Sequence, residues 1–349
     1  MNKIINIGNK TIGKNQPTYI IAEMSANHAG DFNRAIEIIH AAKESGADCI
    51  KIQTYTPDTM TIDCDKEYFK IKKGTWKGEI LYNLYKKAYT PWEWQVDLKK
   101  EAEKLGLDFL STPFDKTSVD FLENLGVKFY KIASFEVTDI PLLKYIASKG
   151  KPIIMSTGNA TLGEIEEAVK VIREQGNNDL CLLKCSSSYP AISDDMNLKT
   201  IQHLQETFDV VVGLSDHSMG SVGAVCAVAL GAKVVEKHFC LSRSIVNPDS
   251  SFSMEPDEFK KMVEDIRSAE KAIGKISYNM SERERNNLKF RRSVFIVKDI
   301  KKGEVLTENN IRVIRPAYGL EPKYYEYVLG KKASKDLERG TPLTWEMIE

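Results

Sequence analysis

The sequence predicts a (β/α)8 barrel, a TIM barrel, followed by a small β-rich C-terminal domain. Three observations lead there. Eight short apolar runs recur along the first 240 residues, amphipathic helical patterns separate most of them, and no Gly-x-Gly-x-x-Gly follows any run. Apolar strands alternating with helices imply a parallel sheet covered on both faces. Eight such units can close on themselves. A doubly wound sheet is the second reading, and the missing glycine fingerprint argues against it.

The elements follow in order. The first run is TYIIAEM (18–24), and a helical pattern over 32–45 stops at Gly46, a residue suited to a helix end. The remaining runs are ADCIKIQT (47–54), LDFLSTPF (107–114), VKFYKIAS (127–134), KPIIMSTG (151–158), LCLLKCSS (180–187), VVVGLSDH (210–217) and KVVEKHF (233–239). Helical patterns over 162–175, 222–230 and 256–273 fit between and after them, so the barrel domain is placed at 1–278. The segment 55–89 is a long, aromatic-rich connection, and loops beyond ~12–15 residues are commonly functional or disordered. A polar linker is expected at 279–292 and a separate domain at 293–349. That tail is near the lower size limit for an independent core, so it is expected to pack on its own barrel or on a second copy.

Composition narrows the function. Lys+Arg and Asp+Glu are both 49, giving zero formal net charge, which argues against nucleic acid as a partner. The 42% hydrophobic and 28% charged content is that of a globular chain. No apolar run reaches the ~20 residues that span a bilayer, and MNKIINIGNKTIGKNQ lacks a signal-peptide core. A cytoplasmic protein with six reduced cysteines is expected, Cys181 and Cys185 being buried strand residues rather than half of a zinc site.

In a barrel, chemistry gathers where strands end. The polar residues that interrupt the runs fall there: Glu23, Lys51 and Gln53, Ser111 and Thr112, Lys131 with Ser134 and Glu136, Ser156 and Thr157, Lys184 with Ser186, Ser187 and Tyr189, Ser215-Asp216-His217, and Glu236-Lys237-His238. Each singly can be a satisfied core residue; eight coincidences at one end of eight strands argue for a site. Lys51 and Lys131 lie in apolar strands and need an anion. A phosphate or carboxylate ligand, helped by the hydroxyls of Thr112, Ser134 and Ser215, is one answer. An internal salt bridge to Glu23 or Glu136 and a Schiff-base lysine are others. His217 and His238 end adjacent strands and can share a divalent ion or act in acid–base chemistry. His40, His203 and the Trp92/Trp94 pair are read as structural, and His28 is left open.

Nine ordered segments then carry a resemblance: AEMSANH (22–28), IKIQTYTPDT (50–59), STPFD (111–115), YKIASFE (130–136), STG (156–158), KCSSSYPA (184–191), GLSDHS (213–218), EKHF (236–239) and PDSSFS (248–253). With them the chain resembles the sialic acid synthase family. Its tail, FRRSVFIVKDIKKGE and IRP, is similar to that family's SAF (antifreeze-like) domain. The resemblance implies condensation of phosphoenolpyruvate with an N-acetylated sugar aldehyde and release of phosphate. It implies a divalent metal, commonly Mn2+ with Mg2+ or Co2+ as alternatives, on His217 and His238. It assigns Lys51, Thr112, Lys131, Ser134 and Ser215 to phosphoenolpyruvate, Gln53, Tyr189 and Asp249 to the sugar, and Glu23, Glu136 and Glu236 to the reacting carbons. It also implies a domain-swapped homodimer in which Arg315 enters the neighbouring site.

Two positions depart from the sialic acid synthases, which have Asn at the place of Ser187 and His at the place of Ser250. With the AEMSANH form, these argue against a simple mannosamine acceptor. They resemble the pseudaminic branch, whose acceptor is 2,4-diacetamido-2,4,6-trideoxy-L-altrose and whose product decorates flagellin or surface polysaccharide. The alternative is N-acetylneuraminate or legionaminate synthesis from a different N-acetylated amino sugar.

Overall fold

The computed structural model describes residues 3–8 and 10–349, and the chain divides into two compact units after Gly274. The first unit opens with an antiparallel hairpin, β1 (Ile4–Ile7) and β2 (Lys10–Gly13), which the sequence reading did not anticipate. Eight parallel strands follow: β3 (Tyr19–Glu23), β4 (Cys49–Thr54), β5 (Asp108–Pro113), β6 (Tyr130–Ile132), β7 (Ile153–Ser156), β8 (Leu180–Cys185), β9 (Val211–Asp216) and β10 (Val234–His238). Their order in the sheet is β5-β4-β3-β10-β9-β8-β7-β6. The first strand therefore pairs with the last, Glu23 opposite His238, as a closing barrel requires. All eight predicted runs are barrel strands.

Successive residues of a strand point to opposite faces, so each strand has an inner and an outer set. The outer set, including Ile20, Ile50, Phe109, Tyr130, Met155, Leu182, Val212 and Val235, packs under the surrounding helices. The helices formed where their patterns and caps place them: Phe32–Glu44 behind Asp31, Leu162–Glu174 behind a Thr161/Glu164 capping box, and Pro256–Ile273 behind Glu255.

The inner set changes character along the barrel. At the strand starts it is mostly apolar: Tyr19, Ile21, Cys49, Leu110, Phe129, Ile154, Cys181, Leu183, Val211 and Val234 gather there, and the one buried carboxylate among them, Asp108, accepts from the Tyr19 hydroxyl at 2.7 Å. Ile5, Ile7 and Ile12 of the hairpin join this cluster and cap that end of the barrel. Two residues further along seven of the strands, the same face carries Glu23, Lys51, Thr112, Lys131, Ser156, Cys185 and Glu236, and in β9 Ser215 follows Gly213.

The second unit holds an antiparallel pair, β11 (Ser293–Ile296) and β12 (Ile311–Ile314). Bridges such as Ile300 to Leu337 and Ala333 to Ile348 fold the segment repeatedly onto itself. Val294, Ile296, Ile300, Leu306, Ile311, Val328, Leu337 and Leu343 are buried together as a result. Although the tail is near the lower size limit for an independent core, residues distant in sequence pool their apolar side chains into one. The stretch expected as linker contains a short helix, Glu282–Asn286, with a Ser281/Glu284 capping box. The six cysteines are unpaired, and no described helix is long and apolar enough to cross a membrane.

Candidate active site

The polar half of the inner set converges. Lys51, 4% exposed, and Lys131, 2% exposed, reach the same carboxylate. Lys51 Nζ is 2.8 Å from Glu23 Oε2 and 3.2 Å from Glu236 Oε1, and Lys131 Nζ is 3.4 Å from Glu236 Oε1. In this state the lysines' counter-charges are Glu23 and Glu236, so the internal salt bridge is present, with Glu236 in the place expected of Glu136. Lys51 also donates to Thr112 Oγ1 at 3.5 Å, and Lys131 to Ser156 Oγ at 2.7 Å. Ser215 Oγ donates to Glu236 Oε1 at 3.4 Å.

Burial would drive Lys51 down, but Glu23 and Glu236 outweigh it and hold its ammonium above the ordinary lysine range. Lys131 is lowered by burial, offset in part by Glu236. The carboxylates separate. Glu236 faces the same burial, yet Lys131 and Lys51 hold its proton affinity down, whereas burial pushes Glu23 up against the pull of Lys51. Glu236 Oε2 remains buried without a hydrogen-bond partner.

The imidazoles of His217 and His238 lie with ring centroids 5.4 Å apart. His217 Nδ1 is 3.1 Å from the Ser186 carbonyl, which orients its ring. Burial, then the charges of His217, Lys51, Lys131 and Lys237, hold the proton affinity of His238 well below the ordinary histidine range. Its Nδ1 is buried without a partner. Two oriented imidazoles, one with an unpaired buried nitrogen, fit a borderline divalent ion. Among the described residues, no group of three His, Cys, Asp or Glu is poised around one point, so such an ion would need water or a bound molecule to complete its shell.

The remaining expected residues line the mouth. Gln53 donates to Glu23 Oε1 at 3.1 Å and to Ser25 Oγ at 2.9 Å. Tyr189 stacks on His217 with centroids 4.3 Å apart. Asp249 accepts from the Ala26 amide at 3.2 Å, and burial raises its proton affinity against that bond and one from Ser25. Glu136 is pushed up to about 7 by burial, with Lys131 pulling the other way, and its Oε2 has no hydrogen-bond partner. Ser134 accepts from the Gly158 amide at 3.1 Å, while Ser187 Oγ lies 3.7 Å from Cys185 Sγ. Arg315 is exposed and follows β12 in the second unit.

Several named strand-end residues face outward instead. Lys237 pairs with Asp216 at 2.6 Å and donates to the Ser218 carbonyl at 2.6 Å, locking the loop after β9. Ser111 bonds Thr54 at 2.6 Å. His28 is structural, its ring nitrogens meeting the Gly30 amide at 3.0 Å and Thr90 at 3.2 Å. Trp92 packs on Phe121, and Trp94 on Phe32.

Ser25, Cys185 and Trp76 were not among the expected site residues, and Ser156 was named only as a strand-end polar residue without a role. Ser25, Ser156 and Cys185 were accessible to a strict alternation count from the strand starts, or sit beside a residue that was. Trp76 was not, because nothing local fixes where a residue in the middle of a long loop comes to rest. It crosses to the barrel mouth, donating Nε1 to the Pro248 carbonyl at 2.8 Å, while Thr75 donates to the Tyr189 carbonyl at 2.6 Å.

Comparison with known proteins adds to this geometry. Residues 38–278 match the NeuB family and residues 291–349 match the SAF domain. A pseudaminic acid synthase of Campylobacter jejuni is 49% identical over 97% of this chain and 98% of its own length. One from Helicobacter pylori is 47% identical over 96% and 98%. A solved N-acetylneuraminic acid synthetase of Leptospira borgpetersenii, 33% identical, superposes with a TM-score of 0.73 over 82% of this chain and 96% of that one.

Proposed function

The chain belongs to the NeuB family, and from that premise we propose that it condenses phosphoenolpyruvate with 2,4-diacetamido-2,4,6-trideoxy-L-altrose and water, giving pseudaminic acid and phosphate. The observation that carries the reading is the meeting of Lys51 and Lys131 on Glu236, inside a wall that also presents His217 and His238. A Schiff-base lysine needs a low proton affinity; Lys51 has the reverse, and Lys131, which burial lowers, is ion-paired to Glu236 and bonded to Ser156.

Lys51 and Lys131 receive the phosphate and carboxylate of phosphoenolpyruvate, with Thr112, Ser134 and Ser215 as hydroxyl donors. Preorganised charge of this kind contributes several kcal/mol to a transition state that develops negative charge. Gln53, Tyr189 and Asp249 orient the open-chain sugar. The enol carbon bonds to the aldehyde carbon, and water adds to the phosphate-bearing carbon. The tetrahedral intermediate then breaks its carbon–oxygen bond to phosphate. Glu23, the carboxylate that burial pushes up, takes the water proton, while Glu236 holds the two lysines in register. His217 and His238 would hold a divalent cation, which would supply Lewis-acid polarisation of the aldehyde. Arg315 completes the site from a second copy in a homodimer, with Glu136 beside the reacting carbons.

The test is phosphate release from phosphoenolpyruvate with single acceptors in oxygen-labelled water. Release with the trideoxy diacetamido sugar, and label in the sugar acid alone, is the expected result. Label in phosphate overturns carbon–oxygen cleavage. Faster release with N-acetylmannosamine or the legionaminate precursor reassigns the acceptor.

A further inference from the structure

The mouth of the barrel opens into a cavity of about 340 Å³. One side of it is the site already described: Gln53, Glu136, Tyr189, His238 and Asp249. The opposite side is apolar and comes largely from the 55–89 connection, with Met60, Ile71, Trp76, Leu84 and Tyr85, faced by Phe135. Among the described residues that line it, none is a lysine or arginine. The two halves of the site are therefore chemically distinct. The lysine pair lies deeper and takes an anion; the cavity takes something uncharged with apolar edges.

Two features show the apolar wall to be a built surface. Trp76 is held at both ends, by its bond to the Pro248 carbonyl and by the ring contact with Tyr189 at 5.5 Å. Phe135 is 64% exposed although it sits between Ser134 and Glu136, so a large ring is displayed to solvent beside polar site groups. An unpartnered aromatic in that position is suited to stacking on a ligand.

We propose that this wall is the acceptor-selecting surface: Trp76 and Phe135, with the aliphatic residues between them, hold the methyl-bearing end of a 6-deoxy amino sugar and reject a hydroxyl there. The inference rests on the acceptor reading above and adds which residues set the preference. One methyl group in an apolar pocket is worth roughly 10- to 200-fold in discrimination.

The experiment compares wild type, Trp76→Ala and Phe135→Ser with two acceptors, the trideoxy sugar and its 6-hydroxy counterpart. Phe135→Ser guards against misfolding, since the residue is exposed. The expected result is a fall of roughly tenfold or more in kcat/KM for the 6-deoxy sugar, a smaller change for the 6-hydroxy one, and an unchanged KM for phosphoenolpyruvate. A wild type that prefers the 6-deoxy sugar, with variants that keep that preference, overturns the wall's role alone. A KM for phosphoenolpyruvate that moves with the variants also overturns it. A wild type that prefers the 6-hydroxy sugar overturns the acceptor reading and this inference together.

Discussion

Lys131 Nζ and Glu236 Oε1 face each other at 3.4 Å across the inside of the barrel, and both side chains are buried. With Lys51 and Glu23 they make a balanced set of two cations and two anions. Removing one member unbalances it in a known direction. Glu236→Gln leaves excess positive charge, so phosphoenolpyruvate should bind about tenfold tighter by calorimetry while turnover falls. Lys131→Met should weaken binding and lower kcat/KM by about 100-fold. Weaker phosphoenolpyruvate binding by Glu236→Gln would contradict the lysine pair as anion site.

Gly158 is required by close approach. A Cβ there would lie 2.1 Å from Ser187 Oγ and 2.9 Å from Ser134 Oγ. Gly158→Ala should cost about 1–3 kcal/mol of stability by denaturant titration. Adding Ser187→Ala removes the nearest atom and should restore part of the loss, read as a non-additive double-mutant cycle. Strict additivity would show that the two positions do not press on each other.

Glu136 carries a pH signature. Its folded proton affinity is raised from 4.5 to about 7 by burial, so the fold prefers the neutral acid. The stability this contributes is fully present below the unfolded value and is lost as pH rises through the folded one. Between these limits the effect amounts to about 3 kcal/mol. Denaturation of wild type and Glu136→Gln from pH 4.5 to 8 should show that the variant lacks this component of the decline. Parallel curves would remove Glu136 as its source.

Metal dependence has a readout apart from turnover. Mn2+ added to the chelator-treated protein should raise its melting temperature, and His238→Ala should abolish the shift, because its unpaired nitrogen is the open donor. An equal shift in the variant would place the ion elsewhere.

Arg315 can be tested by mixing. If it acts on the neighbouring copy, Arg315→Ala and Lys51→Met are each inactive alone, but half of the sites in their mixed dimers are intact. Co-refolding should then recover about a quarter of wild-type activity. No recovery would place Arg315 in its own chain's site.

The barrel and the candidate site were legible because polar residues recur at the C-terminal ends of all eight strands, whereas Asp108 is the one buried charge at a strand start. Lys51, Lys131, Glu236, His217 and His238 interrupt apolar runs, and burying them unpaired is costly. What the strand-end rule did not do was separate the two faces. Asp216 and Lys237 sit beside site residues in sequence, yet point outward to each other. Counting by twos from Val234 selects Glu236 and His238 and passes over Lys237. The N-terminal hairpin was also missed, although Ile5, Ile7 and Ile12 flank a Gly-Asn turn signal in the sequence. The long connection was recognised as unusual, but the resting place of Trp76 depends on tertiary bonds that no local pattern encodes.

That hairpin leaves the barrel with a floor and a single doorway. Whatever settles lowest must arrive before, and depart after, anything resting above it. Lys51 and Lys131 lie below the aromatic wall, so on the proposed reading the three-carbon donor must enter ahead of the sugar, and a sugar already seated would block its path. Traffic through such a dead end is a queue, and excess acceptor should slow the reaction rather than merely saturate it, as initial rates at rising sugar concentration would show.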